Sequence, residues 1–130
     1  MRIDRVVSDV SGKRSPSVMT RHWCGLSGMT EGFVERWAGV VRIDLFGFAD
    51  HVAFDKKTLC FIQSTSASNR AARVKKVLAN VAARQLCAMG HRILIVTWQR
   101  KADKLHHGTI VELDDADFRE VVDEANRGES

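Results

Sequence analysis

Three polar residues near the middle of the chain, Asp50, Gln63 and Thr65, have the types expected of a small cation site. A carboxylate beside a second oxygen ligand suits a hard cation such as Mg²⁺, which completes its octahedral shell with water and phosphate oxygens. If these side chains converge, they predict metal-assisted chemistry on a phosphate ester. The ordinary alternative is that Asp50 merely ends a strand, and that Gln63 and Thr65 are polar residues at a sheet edge.

Convergence depends on a β-hairpin. Residues 48–54 and 59–65 are short runs rich in aromatic and β-branched residues, and four polar residues separate them. Pairing the two residues that border this turn places Asp50 opposite Gln63. Facing residues in an antiparallel pair have Cβ atoms roughly 4.5–5.5 Å apart. The side chain of Thr65 then lies on the same face, because alternate residues of a strand share a face.

This arrangement resembles the core of the PD-(D/E)XK nuclease superfamily, nearest its Holliday-junction-resolvase-like and VRR-NUC branches. In that family, an Asp at the start of a strand and the Glu of a Glu-x-Lys motif bind Mg²⁺, and the Lys positions or activates the attacking water. Asp50 matches the Asp. Gln63 stands in place of the Glu, which weakens metal binding, and Thr65 stands in place of the Lys, which removes a cation.

A longer string also resembles small phage and bacterial proteins placed in this superfamily. Its residues are Arg42, Asp44, Leu45, Phe46, Gly47, Phe48, Asp50, Gln63, Thr65, Ser68, Asn69, Trp98, Arg100 and Lys101. The resemblance implies an α/β, restriction-endonuclease-like αβββαβ core, with a mixed central sheet flanked by helices, plus a C-terminal strand and helix. It implies a Mg²⁺- or Mn²⁺-dependent endonuclease that hydrolyses DNA phosphodiester bonds, with Asp50 and Gln63 as metal ligands.

Two alternatives accompany that implication. The Gln63 and Thr65 departures favour a catalytically inactive nuclease-fold module that binds nucleic acid or takes part in assembly. An RNA-directed nuclease is the other, because nothing in the residues distinguishes DNA from RNA. A homodimer is compatible with duplex cleavage, since cutting both strands requires two active centres.

Glu35 and Lys76 are additional candidates for the same site. The first helix of the family often supplies a Glu, and this chain has none in that segment, so Glu35 is a candidate substitute ligand. Its ordinary interpretation is an ion pair with Arg36 or Arg42. Lys75 or Lys76 could replace the missing motif lysine if their helix leans over the hairpin; otherwise we expect them to contact the nucleic-acid backbone.

Asp44 is a further candidate whose position depends on the chain between it and Asp50. Six residues of straight strand would separate the two carboxylates by about 20 Å, too far to share an ion. A bend at Gly47 would bring Asp44 back. The ordinary alternative for Asp44 is a salt bridge to Arg42 or Arg70.

Charge is segregated along the chain, which carries a formal net charge of +4. Between Lys56 and Ala102 there is no Asp or Glu, whereas most of the charged residues after this segment are acidic. An acid-free basic segment predicts contact with a phosphate backbone, although solvated helix charges are the ordinary alternative. The candidate nucleic-acid contacts are Asn69, Arg70, Arg73, Lys75, Lys76, Arg100 and Lys101. Trp98 beside the last two could stack on a base, but packing is the more common role of such a residue.

The remaining patterns predict the scaffold. Ser15 and Pro16 indicate a helix start, with the helix over 18–26 ended by Gly28. Residues 33–37 and 40–44 predict one strand or two. Residues 66–69 open a long helix that runs to Met89, with Val74, Val77, Leu78 and Val81 as a buried stripe.

The end of the chain predicts more of the sheet. Residues 92–98 form a continuous apolar run, expected as a central strand parallel to 59–65 through a right-handed crossover. The adjacent His106 and His107 are expected in a loop. A last strand over 109–113 and a helix capped by Asp114 follow, with Phe118, Val121, Val122 and Ala125 on the apolar face of that helix.

Composition favours one soluble domain over residues 1–130, with 1–15 as a mobile arm or short edge strand. No apolar run has the ~18 residues of a membrane span, and the N-terminus lacks the apolar region of a signal peptide, so we expect a cytoplasmic protein. The three cysteines lie in apolar surroundings and are expected to be reduced. Nor does any set of ligands have the usual spacing of a zinc site.

Overall fold

A computed structural model describes residues 1–128. Its strands are β1 (Arg2–Ser8), β2 (Thr30–Phe33), β3 (Arg36–Ala38), β4 (Val41–Ile43), β5 (His51–Phe54), β6 (Leu59–Ser66), β7 (Arg92–Arg100) and β8 (His106–Leu113). Its α-helices are α1 (Pro16–Leu26), α2 (Arg70–Leu78), α3 (Val81–Ala88) and α4 (Asp115–Gly128), and a single 3₁₀ turn, Ala67–Asn69, precedes α2.

Six strands form one mixed sheet in the order β1-β8-β7-β6-β5-β2. The β6–β7 pair is parallel, and its two strands are connected through α2 and α3. The other pairs in this sheet are antiparallel. The α/β class, the mixed sheet and the parallel central pair are therefore confirmed. The two short strands β3 and β4 form a separate hairpin between β2 and β5.

The predicted hairpin register is confirmed. Phe54 pairs with Leu59 and His51 pairs with Ile62 across β5 and β6. One residue before β5, the backbone N–H of Asp50 donates to the carbonyl of Ile62 at 2.9 Å. The regular pairing therefore ends at His51 and Ile62, because the Asp50 N–H bonds the same Ile62 that His51 faces. Asp50 meets Gln63 through a side-chain contact.

Each face of the sheet is covered by helices around an apolar cluster. On one face, Met19 and Cys24 of α1 pack with the inner residues of β6 and β7. On the other, Val77 of α2, Ala83 of α3 and Phe118 of α4 pack with the alternate residues of those strands. Because alternate residues face opposite ways, the continuous apolar run in β7 supplies both clusters.

Of the two expectations for the N-terminal segment, residues 2–8 form the edge strand, paired antiparallel to β8. The N-terminal amine lies 2.9 Å from Asp114 Oδ2, which ties the strand to the start of α4. The start of α1 is also as predicted: Ser15 caps the helix by accepting a hydrogen bond from the Val18 N–H, and Pro16 occupies its first turn. Gly28 follows the helix with a φ of 75°.

Several predicted boundaries are wrong. Residues 33–37, expected as one strand, span the end of β2 and the start of β3, and the strand expected over 48–54 begins at His51. The long helix is divided into α2 and α3, because Asn80 adopts an extended conformation and caps α3 through the Ala83 N–H. Val81, expected in the buried stripe, is 58% exposed at the start of α3. The last strand begins at His106 and not at Thr109. His106 is buried, and its Nε2 lies 2.9 Å from the Gly12 carbonyl oxygen, which favours its place in the sheet.

Candidate metal and phosphate site

A cavity of about 590 Å³ opens at the carboxyl end of β6. It is built from the start of α1, the segment from β2 to β5, the end of β6 and one side of α2. The residues around it are Ser15, Pro16, Ser17, Phe33, Glu35, Arg42, Asp44, Asp50, Gln63, Ser64, Thr65, Arg73 and Lys76. The three residues predicted as the core of the site, and all three additional candidates, therefore line one cavity.

Asp50 and Gln63 lie side by side. Gln63 Nε2 is 3.4 Å from Asp50 Oδ2, and the backbone N–H of Ser64 donates to Asp50 Oδ1 at 3.0 Å. Both side chains are almost fully buried, each residue being 3% exposed. The Oε1 atom of Gln63 is also buried and has no hydrogen-bond partner among the described residues. In this arrangement the amide nitrogen of Gln63 faces the carboxylate, and a half-turn of the amide would present the partnerless Oε1 to Asp50 instead.

The surroundings of Asp50 disfavour its charged form. Its pKa is raised from an ordinary value of 3.8 to about 7, mainly by burial, and the negative charges of Asp44 and Glu35 act in the same direction. The Ser64 N–H acts in the opposite direction by stabilising the carboxylate. A buried carboxylate near two other acids is stabilised when a cation binds.

Asp44 reaches the cavity because the chain turns back between it and Asp50. Phe46 and Gly47 adopt left-handed conformations with φ of 54° and 79°, and Leu45 forms a bridge with Ala49. The condition set by the sequence, a bend at Gly47, is met. The carboxylate of Asp44 lies 3.7 Å from Lys76 Nζ, so its ion-pair partner is neither Arg42 nor Arg70.

Glu35 has the ion pair that was its ordinary interpretation. Its Oε1 lies 2.7 Å from Arg42 Nε, and the glutamate side chain is only 8% exposed. Both residues border the cavity. Glu35 therefore contributes negative charge near Asp50, while Arg42 contributes a cation at the same wall.

The basic residues separate into two groups. Arg73 and Lys76 line the cavity beside Asp50, whereas Arg70 and Lys101 line a different cavity. Lys75 and Arg100 are exposed outside both. Asn69 is exposed at the start of α2, and its amide donates to Thr65 Oγ1 at 3.4 Å. The predicted nucleic-acid contacts thus lie on both sides of the first turns of α2.

A buried histidine behind Asp50 was not singled out from the sequence. His51 Nε2 is 3.9 Å from Asp50 Oδ1 and has no hydrogen-bond partner within the described residues. Its other ring nitrogen lies 2.9 Å from Glu31 Oε1, and Glu31 pairs with Arg21 of α1 at 3.0 Å. Strand alternation gave the available signal, because it places the residue after Asp50 on the α1 side of the sheet.

The donor set fits Mg²⁺ or Mn²⁺ held largely by water. Among the described residues, no group of three or more His, Cys, Asp or Glu side chains is arranged to hold an ion. Asp50 would supply a carboxylate oxygen, and Gln63 would supply Oε1 after a half-turn of its amide. Mg²⁺ prefers oxygen ligands and commonly binds proteins through one or two carboxylates with several waters retained. These two residues are therefore the ones that would hold the ion.

Predictions about Trp98, the cysteines and membrane spans concern parts of the molecule outside the cavity. Trp98 is buried, and its indole N–H donates to Thr20 Oγ1 at 3.0 Å, so it packs in the core and does not face a ligand. All three cysteines are free thiols, as predicted. Within residues 1–128, no helix is both long and apolar enough to cross a membrane.

No protein-family model, curated protein or solved structure matches this chain. The nuclease resemblance therefore stays a prediction, and the cavity is interpreted from its own residues.

Proposed function

We propose that this protein is a Mg²⁺- or Mn²⁺-dependent endonuclease-like hydrolase that cuts phosphodiester bonds of DNA. The observation that carries the proposal is the side-by-side placement of Asp50 and Gln63 in an open cavity. Acidic side chains favour a cation at the base of this cavity, and Arg73 and Lys76 provide positive charge for a phosphate.

Each residue has a distinct role in this proposal. Asp50 and Gln63 hold the ion, which when bound lowers the pKa of its water and offsets charge on the phosphate. The Thr65 hydroxyl orients the attacking water by hydrogen bonding. Arg73 binds a phosphate oxygen. Lys76, already in the cavity through its ion pair with Asp44, supplies the cation that Thr65 lacks.

The order of elements supports the same proposal. Helix α1, strands β2, β5 and β6, the α2–α3 crossover and strand β7 follow one another as in an αβββαβ core. In this interpretation the β3–β4 hairpin is an insertion, and β1, β8 and α4 extend the core at its two ends. We propose on this basis that the fold is of the restriction-endonuclease-like type.

A second candidate function is a nuclease-fold module that binds nucleic acid without cutting it. It is favoured by Thr65 at the position where the family carries a lysine, and by the ion pair that occupies Lys76. The two functions share the basic surface and differ in whether Asp50 holds an ion that supports cleavage.

The test compares cleavage and metal binding in matched variants. Purified protein is incubated with Mg²⁺ or Mn²⁺ and with duplex, single-stranded or branched DNA, or with RNA, and Mn²⁺ binding is measured by calorimetry. We expect Asp50→Ala to abolish both cleavage and Mn²⁺ binding. Asp9→Ala removes an exposed carboxylate outside the cavity and should retain both.

The outcomes separate the candidates. Cleavage that survives Asp50→Ala contradicts the proposal. Nucleic-acid binding with neither cleavage nor Asp50-dependent Mn²⁺ binding favours the inactive module. Cleavage of RNA alone would keep the chemistry and change the substrate. If cleavage is found, Lys76→Gln should reduce it by about tenfold to a thousandfold, a range typical for loss of one group that stabilises transition-state charge.

A further inference from the structure

A second cavity, of about 290 Å³, lies on the same face of the sheet as the candidate metal site. It is formed over β7, β8 and β1 beyond the first turn of α2. The polar side chains around it are Arg5, Arg70, Gln99, Lys101, His107 and Thr109. Cations and hydrogen-bond donors therefore dominate this cavity, which lacks an Asp or Glu in its lining.

A row of polar residues connects the two cavities across the sheet. Thr65 of β6 pairs with Thr97 of β7, Thr97 pairs with Thr109 of β8, and Thr109 pairs with Arg5 of β1. Directly paired residues share a face, so the row lies on the side that also carries Gln63. Adjacent strands are about 4.7–4.9 Å apart, which places the far end of the row roughly 14 Å from Thr65.

Arg70 is held in position at the centre of this row. Its Nε donates to Thr97 Oγ1 at 3.0 Å, and its Nη2 donates to Thr109 Oγ1 at 3.1 Å. An arginine has five N–H donors in a planar fork, so donors remain for a ligand. Arg73, one turn further along α2, lines the first cavity, and the start of α2 therefore contributes a cation to each.

Nearby acidic side chains offset the positive charge of the second cavity only in part. Arg5 and Lys101 form no ion pair within the described part of the chain. The nearby acid Asp103 accepts hydrogen bonds from the Leu105 N–H at 2.9 Å and contacts His107 Nε2 at 2.8 Å. The charge of Lys101 also acts on Asp103, whose pKa it helps to lower, but within the described residues no close ion pair neutralises Lys101 or Arg5. Such cations, around a positioned guanidinium, are suited to a phosphate.

We propose that the second cavity binds a backbone phosphate of the same DNA strand whose scissile phosphate enters the first cavity. The strand would cross the start of α2 and continue towards β1. A separation of this length is several times the ~3.4 Å axial rise per nucleotide, so the two phosphates belong to non-adjacent nucleotides of the strand. The inference takes its ligand from the proposed function, but binding at this cavity does not require cleavage.

The test measures binding in a background that does not cut. Asp50→Ala protein is titrated, without divalent metal, against an end-labelled DNA duplex at several salt concentrations, with fluorescence anisotropy as the readout. In this background, Arg5→Gln with Lys101→Gln should weaken binding about tenfold or more. The slope of log K against log salt should fall by about 1 in magnitude, as expected for one lost phosphate contact.

Lys56→Gln with Lys57→Gln is the matched control. It removes the same charge from the β5–β6 turn, at the opposite end of β6 from Thr65, and should change affinity and slope less. Lys101→Gln alone is a milder variant, since Lys101 is exposed after the end of β7, and thermal unfolding of each variant checks the fold.

Each result is decisive. Equal affinity and slope in the two double variants overturn the inference, as does failure of the parent protein to bind DNA. If the Arg5 and Lys101 substitutions weaken binding while wild-type protein cuts nothing, the second site stands and the hydrolase proposal fails. If wild-type protein cuts and these substitutions leave binding unchanged, the hydrolase stands and the second site fails.

Discussion

Asp50 combines burial, one strong backbone donor and two nearby negative charges. Burial alone would favour a neutral carboxyl, and the Ser64 N–H only partly offsets that effect. Proteins retain such a group where its charge is used, and perturbed pKa values are frequent at functional sites. Its raised pKa leads to a prediction that does not depend on catalysis.

Asp50→Asn should stabilise the metal-free protein at alkaline pH. The folded-state pKa of about 7 lies above the ordinary value of 3.8, so the folded state binds the proton more tightly. Stability conferred by this proton is present at low pH and is lost as pH rises from about 4 to about 7. The asparagine variant should therefore be more stable by about 2–4 kcal/mol at about pH 8, with the difference shrinking towards pH 4.

Urea unfolding of both proteins across this pH range, without divalent metal, provides the measurement. Asp9→Asn, at an exposed position, should match wild type throughout. A stability difference that does not change with pH would mean that the Asp50 pKa is not raised.

Gln63→Glu should strengthen divalent-cation binding. The new carboxylate would stand beside Asp50, where two like charges repel each other unless a cation lies between them. We expect Mn²⁺ affinity to rise by about tenfold and metal-free stability at alkaline pH to fall. Titration calorimetry checks the affinity, with the exposed Gln85→Glu as control. Unchanged Mn²⁺ affinity would place the ion away from Gln63.

At the scale of elements, the break between α2 and α3 connects the helices to the turn that positions Asp44. Asn80 Oδ1 accepts from the Ala83 N–H at 2.9 Å, and its Nδ2 donates to the Phe46 carbonyl at 3.0 Å. One side chain thus caps the second helix segment and holds the left-handed turn at Phe46. The shape of the cavity wall depends on this contact.

Asn80→Ala should lower the free energy of unfolding by about 1–2 kcal/mol, because it removes a helix cap and a second hydrogen bond. Asn69→Ala is the matched control: Asn69 precedes α2 without a capping bond, and its loss should cost about 0.5 kcal/mol or less. Asn80→Asp retains the cap acceptor and loses the donor to Phe46, so an intermediate loss is expected. Equal losses for Asn80→Ala and Asn69→Ala in urea unfolding would contradict this account.

At the scale of the whole molecule, the acids of α4 lie outside the linings of both cavities, on a helix that also carries Arg119 and Arg127. Helix α4 packs against α2 and α3, and two of the acids near its start bind the N-terminal amine. The two cavities with exposed cations lie on the α2 side of the sheet, towards the carboxyl ends of β6 and β7. The protein can thus approach a polyanion with a basic surface despite its modest net charge.

This arrangement predicts strong salt dependence of DNA binding. If the first cavity binds one phosphate through Arg73 and Lys76, and the second binds one through Arg70 with Arg5 and Lys101, log K should fall with log salt with a slope of about −2. Anisotropy titrations of the Asp50→Ala protein check this value. A slope near zero would indicate that the basic residues are solvated surface charges.

Local patterns in the sequence were sufficient to predict the elements whose main contacts are with residues close to them along the chain. The alternation of side chains on both sides of a polar turn determined the β5–β6 register and hence the Asp50–Gln63 pair. The Ser15 cap determined the start of α1, and the apolar run of β7 determined a central parallel strand. The hairpin register and the helix start each depend on interactions between residues a few positions apart. The central position of β7 follows from the burial of the whole strand.

Only the tertiary structure decided what assembles around that pair. The left-handed conformation of Phe46, a residue type that rarely adopts it, brings Asp44 into the cavity, and Asn80 from a distant helix holds that turn. Glu35, Lys76 and Arg70 acquire their positions from contacts with residues far away in the sequence. Such positions depend on packing free energy summed over many residues that are distant in the sequence. Local sequence patterns contain information only about neighbours along the chain.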